Sequence, residues 1–138
     1  MRHITKERKT GMEKGHMDYQ EILKMEPKSL MNWLVENFKT EIPIQLDTVQ
    51  DMETAGRLLG KLTNQYAYLV SLATYAKLAV REEKRKGASN KVASDNMIDR
   101  RDAIQNMADI IKMQYQAVSR MITVKKEINA ELHMSDIG

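Results

Sequence analysis

Cysteine is absent from the 138 residues, proline occurs twice, and phenylalanine and tryptophan once each. Without cysteine there is neither a disulfide framework nor a thiolate metal site. No apolar run approaches the ~20 residues that cross a bilayer. Nothing reads as a signal peptide, so the expected setting is a reducing cytoplasm with no membrane contact. What the chain has in quantity is methionine, eleven residues of it. This unbranched, polarisable side chain fills irregular gaps between helices, and it gives an aromatic-poor core that adapts easily to partners.

Residues 48 to 132 read as two long helices. From Met97 the positions 97, 101, 104, 108, 111, 115, 118, 122, 125, 129 and 132 step alternately by four and three, and the middle of that seam is apolar. A second seam runs beside it through Ala103, Met107, Ile110, Gln114, Ala117, Met121, Val124 and Ile128. Together they make a face wider than one partner helix covers. The stretch before it shows the same doubling, with Leu59, Leu62, Tyr66, Leu69, Val70, Ala73, Ala76 and Val80 flanked by Leu58, Leu72 and Ala79. Each helix therefore wants two neighbours.

Local signals set the expected boundaries. Asp47 followed by Gln50 matches a capping box, with Pro43 upstream as a stop. Gly87 ends the first long helix after the charged run Arg81 to Lys86, and Ser94 or Asp95 can cap the return helix. These signals predict helices over about 48–86 and 95–132. A loop of about eight residues makes them antiparallel neighbours, each about 60 Å long. Ahead of them, Pro27 or Ser29 starts a helix over about 28–39 that carries Leu30, Met31, Trp33, Leu34, Val35 and Phe38. Glu41 to Leu46 alternates around Pro43 and reads as a short extended edge segment. The expectation is an all-α chain, a short N-terminal helix plus a long antiparallel hairpin. It forms one helical domain over 17–138 and assembles as an oligomeric bundle of two or more copies, because two long helices alone leave an apolar strip in water.

The formal charge is +3. Residues 1–16 carry five Lys or Arg against two Glu and hold all of it, so the remainder is neutral. Within that remainder the layout is polar. Residues 17–56 hold three Lys against eight acids, while residues 77–101 hold eight Lys or Arg against four. Such a layout suits self-association as well as it suits an anionic ligand.

Candidate chemistry is sparse. His3, His16 and His133 have no second ligand at metal spacing and read as solvated residues. Asp99 and Asp102 share a helix face at i, i+3 and could hold a divalent cation, but the adjacent Arg100 and Arg101 favour ion pairing. No phosphate-cradling glycine loop and no nucleophile with a base appears, so no catalytic residue, cofactor or metal is assigned and an enzyme is not expected. Gly56 and Gly60 lie on one helix face and cost about 2 kcal/mol relative to alanine. Close approach of a helix or of Trp33 or Phe38 would offset that cost. The alternative is a backbone surface for a flat ligand whose phosphate and ring are held by Arg57, Lys61, Tyr66 or Tyr68. The basic cluster Arg81, Lys84, Arg85, Lys86, Arg100 and Arg101 could grip a phosphate backbone. It lacks interleaved aromatics for stacking, and solvation is its simplest reading.

The tract Leu58-Leu59-Gly60-Lys61-Leu62-Thr63-Asn64-Gln65-Tyr66, with Asp99-Arg100-Arg101-Asp102-Ala103-Ile104 and the run from Gln114 to Val124, resembles a set of short helical proteins encoded by phages and prophages of Gram-positive bacteria. The resemblance covers about residues 41–134. It implies a phage setting in a bacterial host cytoplasm and a non-structural role, and it draws Arg120 into the candidate set. Three functions follow as expectations. The first is a non-enzymatic counter-defence protein that sequesters a small nucleotide signal or blocks a host protein, through Arg57, Lys61, Tyr66, Tyr68 and Arg120. The second is a DNA-binding accessory protein in phage recombination or replication, using the basic cluster. The third is a structural coiled-coil adaptor.

Residues 1–16 read as a basic tail outside the native protein. Glu13-Lys14-Gly15 can be encoded by purine-rich codons resembling a ribosome-binding site just ahead of Met17. The intact mass of the protein expressed from its own locus is expected to correspond to a start at Met17, and a product beginning at Met1 would overturn that reading.

Overall fold

The computed structural model describes residues 18–38, 42 and 45–137. Among them are four α helices, α1 (Tyr19–Ile22), α2 (Pro27–Phe38), α3 (Val49–Arg85) and α4 (Lys91–Ile137), with a 3-10 turn at Ala88–Asn90 between the last two. No strand occurs among the described residues. The chain is all-α as its periodicity predicts. The expected extended segment falls partly on residues outside the described set, and Ile42, Gln45 and Leu46 carry no strand. The basic tail, with His3 and His16, also lies outside the described residues.

The chain divides into two compact units, and α3 and α4 contribute to both. One combines the N-terminal segment with residues 69–107. The other combines residues 40–68 with 108–138.

The first unit holds α1 and α2. Asp18 caps α1 by accepting a hydrogen bond from the Gln20 backbone N–H at 3.2 Å, a one-turn helix too short to show in periodicity. Pro27 opens α2, where its missing N–H costs nothing, and the Leu30 N–H returns to the Glu26 carbonyl. Leu30, Leu34 and Phe38, spaced by four, are its buried face, while Met31 and Val35 face water. Trp33 meets Phe38 edge-to-face at 5.9 Å, and Tyr19 meets Tyr75 of α3 at 5.6 Å. Ile22, Leu69, Leu72, Ala76 and Ile104 complete a core with no solvent exposure. Arg100 of α4 donates through Nε to the Met25 carbonyl at 2.7 Å, satisfying an acceptor in the turn between α1 and α2.

The second unit contains the start of α3. Its cap is a reciprocal pair one residue beyond the predicted one. The Asp51 N–H donates to Thr48 Oγ1 at 3.0 Å, while Asp51 Oδ2 accepts from the Thr48 and Asp47 N–H groups at 3.2 and 3.0 Å. Thr48 displaces Asp47 as the capping residue because a carboxylate at position 51 returns the bond twice. Leu46, Ala55, Leu62, Ala108, Ile111 and Val118 are the buried residues of this unit, and Lys125 lies 3.6 Å from Asp47.

The link between α3 and α4 is tighter than predicted. Asn90 donates through Nδ2 to the Glu83 carbonyl at 2.8 Å and to Glu83 Oε1 at 2.9 Å. This bond, with the nearby Lys86 ammonium, holds the Glu83 carboxyl below its usual range. The return helix therefore begins at Lys91 rather than near Asp95, and it runs to Ile137 instead of 132. Ser94 is buried inside the helix and Asp95 pairs with Lys91 at 2.9 Å, so neither is a cap. Gly87 has φ +95° and ψ −179°, a region open essentially to glycine alone. Gly87→Ala is expected to cost about 1–3 kcal/mol although a Cβ there meets no atom within 4 Å. Urea unfolding measures it.

Candidate functional site

Periodicity on two helices of the second unit builds a cavity of about 380 Å³ lined by Leu62, Thr63, Tyr66, Lys112, Tyr115 and Gln116. Residues 62, 63 and 66 fall within one turn of α3, and 112, 115 and 116 within one turn of α4, so each trio shares a face. Tyr66 is half-buried, Tyr115 somewhat more open, and Lys112 exposed. The Thr63 hydroxyl donates to the Leu59 carbonyl at 2.8 Å, which leaves its oxygen free to accept. The lining brings together two tyrosines, one ammonium for an anionic group, and an amide that both donates and accepts. Its volume is in the range that takes a small ligand.

The candidate residues read from the sequence do not converge here. Tyr66 lines the cavity, but nine residues along a helix from Arg57 amounts to half a turn, so Arg57, Lys61 and Tyr68 share the opposite side of α3. Arg57 and Lys61 are exposed, with Arg57 Nη2 3.4 Å from Thr54 Oγ1, and Tyr68 is half-buried. Arg120 lines a different groove of about 510 Å³ with Leu46, Ala117, Met121, Val124, Lys125 and Ile128. Lys112, Tyr115 and Gln116 were absent from the sequence-based set. The only signal for them was Tyr115 itself, which the four-three spacing assigned to the core seam and which is 38% exposed.

The basic cluster is largely engaged. Arg85 pairs with Glu82 at 2.6 Å, Lys86 with Glu83 at 3.2 Å and Arg101 with Asp102 at 3.0 Å, while Arg100 holds the Met25 carbonyl. Arg81 and Lys84 are exposed. Asp102 thus serves an ion pair, and no group of three potential metal-binding side chains occurs among the described residues. His133 is exposed.

The glycine pair overturns an expectation. Among the described residues a Cβ built at Gly56 or Gly60 meets nothing within 4 Å, so no close helix approach within the second unit accounts for the pair. Trp33 and Phe38 pack on each other.

Compared with known protein families, curated proteins and solved structures, the chain has no significant match.

With open space beside both glycines, Gly56→Ala and Gly60→Ala should each stabilise the protein by about 0.5–1 kcal/mol through helix propensity. Thermal or urea unfolding of the two variants checks this, and a loss of stability would restore a packing role.

Proposed function

We propose that the chain is a non-enzymatic binding protein of phage type that acts in counter-defence, in the cytoplasm of the bacterial host, by holding a small nucleotide in the cavity between Tyr66 and Tyr115. The observation that carries this reading is the joint presence of two tyrosine rings, a lysine and an amide around one cavity of ligand size. A base lies against a ring face, the Lys112 ammonium takes a phosphate, and Gln116 reads an edge. Stacking of this kind contributes about 1–3 kcal/mol per base. Sequestration needs tight binding and no chemistry, and the lining supplies ring, cation and amide contacts for that.

The same reading has the two long helices pairing as an antiparallel hairpin, joined through the Gly87–Asn90 turn, and the hairpins assembling into an oligomer. The apolar width of α4 supports that assembly, as does the exposure of Ile110, Met113, Val124 and Ile128. DNA binding is the weaker reading, because four of the six cations proposed for it already hold partners within the chain.

Native mass spectrometry of residues 17–138 purified from bacteria tests the proposal. The expected result is a bound mass the size of a nucleotide. Tyr66→Ala or Tyr115→Ala should weaken rebinding of that molecule by roughly 5- to 150-fold, whereas Arg57→Ala leaves it unchanged. A ligand-free protein that binds no nucleotide in titration calorimetry would turn the reading toward blockade of a host protein.

A further inference from the structure

Among the described residues of the second unit, Leu46 alone joins the α4 side chains that line the groove over the second seam, and much of that seam is exposed. Gln114, Ala117, Met121, Val124 and Ile128 lie along one face at four-three spacing. Val124 is 46% and Ile128 44% exposed, and Ala117 is exposed beside them. Leu46, Arg120 and Lys125 line the groove together with Ala117, Met121, Val124 and Ile128 of this seam. The first unit has α1 and α2 to add buried apolar side chains, while the described part of the second has no helix besides α3 and α4. In water such a strip is stable only if something covers it.

We propose that the occupant is the same seam of a second copy, running antiparallel about a two-fold axis between Met121 and Val124. This deepens the self-association part of the reading above and is independent of the tyrosine cavity. In that register Met121 meets Val124 of the second copy, and Ala117, the smallest residue of the seam, meets Ile128, so volumes are complementary layer by layer. On the outer flank Arg120 comes beside Glu127 of the second copy, twice by symmetry, and Met113 beside Met134. All four of these flanking residues are exposed.

Charge decides the direction. Flanking residues set partner orientation in paired helices. A parallel pairing of the same seam would place Arg120 against Lys125 of the other copy, two cations in one contact. The antiparallel register turns each Arg120 to a glutamate and leaves Lys125 with its own Asp47.

The absence of cysteine makes the test clean. Ala117→Cys and Ile128→Cys proteins are mixed, oxidised mildly and the cross-linked species weighed. The antiparallel seam gives the mixed 117–128 disulfide, whereas a parallel seam gives only 117–117 and 128–128 products and overturns the proposal. In sedimentation, Arg120→Glu should weaken association about tenfold, and Arg120→Glu combined with Glu127→Arg should restore it. A wild-type monomer at micromolar concentration would overturn self-association altogether. An oligomer that ignores the charge reversal and forms no mixed disulfide would overturn this seam alone, leaving assembly through another face.

Discussion

An apolar face on α4 too broad for one neighbour is the constraint on which the rest of the molecule depends. Ile104, Ala108, Ile111 and Val118 are fully buried, each worth on the order of 1–3 kcal/mol for the larger side chains. The parallel seam one position earlier needs a second cover. In the first unit the chain supplies additional helices, and Ala103 and Met107 are half-buried there. Among the described residues of the second unit no further helix accompanies α3, and Ile110, Val124 and Ile128 stay open to water. Long helices stabilised mainly by tertiary packing thus leave an apolar strip exposed along this part of α4.

The ends of the helices are held by polar chemistry rather than by burial. Thr48 and Asp51 satisfy each other's orphan N–H groups at the start of α3, and Asn90 reaches back to Glu83 at its end. Those bonds consume donors and acceptors that would otherwise be free at the termini. The same economy applies to the basic cluster, where intrahelical ion pairs and the Arg100–Met25 bond neutralise or orient most of the charge. A cluster that looks available in one dimension is largely spoken for once its neighbours three and four residues away are in place.

The tyrosine cavity and the seam lie on two faces of the second unit. Tyr115 and Arg120 stand little more than one turn apart on α4 yet open onto different depressions, because five residues on a helix span well over a quarter turn beyond a full one. A residue set gathered by chemical type alone merges these faces, as happened with Tyr66 and Arg120. Their separation means that the two proposed roles, ligand binding and self-association, draw on different side chains.

The helical class, the two long helices, the position of α2 and the break at Gly87 were legible in the order of residues. All of these follow from local periodicity and backbone preference, which are carried by residues a few positions apart. The capping residue Thr48, the early start of α4 at Lys91 and the one-turn α1 depended on particular hydrogen bonds that propensity does not encode. Packing selected Leu30, Leu34 and Phe38 over Met31 and Val35 as the buried face of α2, left Gly56 and Gly60 beside open space, joined Tyr66 to Lys112 and Tyr115 rather than to Arg57 and Lys61, and chose which of the two α4 seams is buried. Those outcomes turn on which helix faces meet across some fifty intervening residues. A repeat of three and four says that a face is apolar, and the partner that fills it is chosen by packing in space.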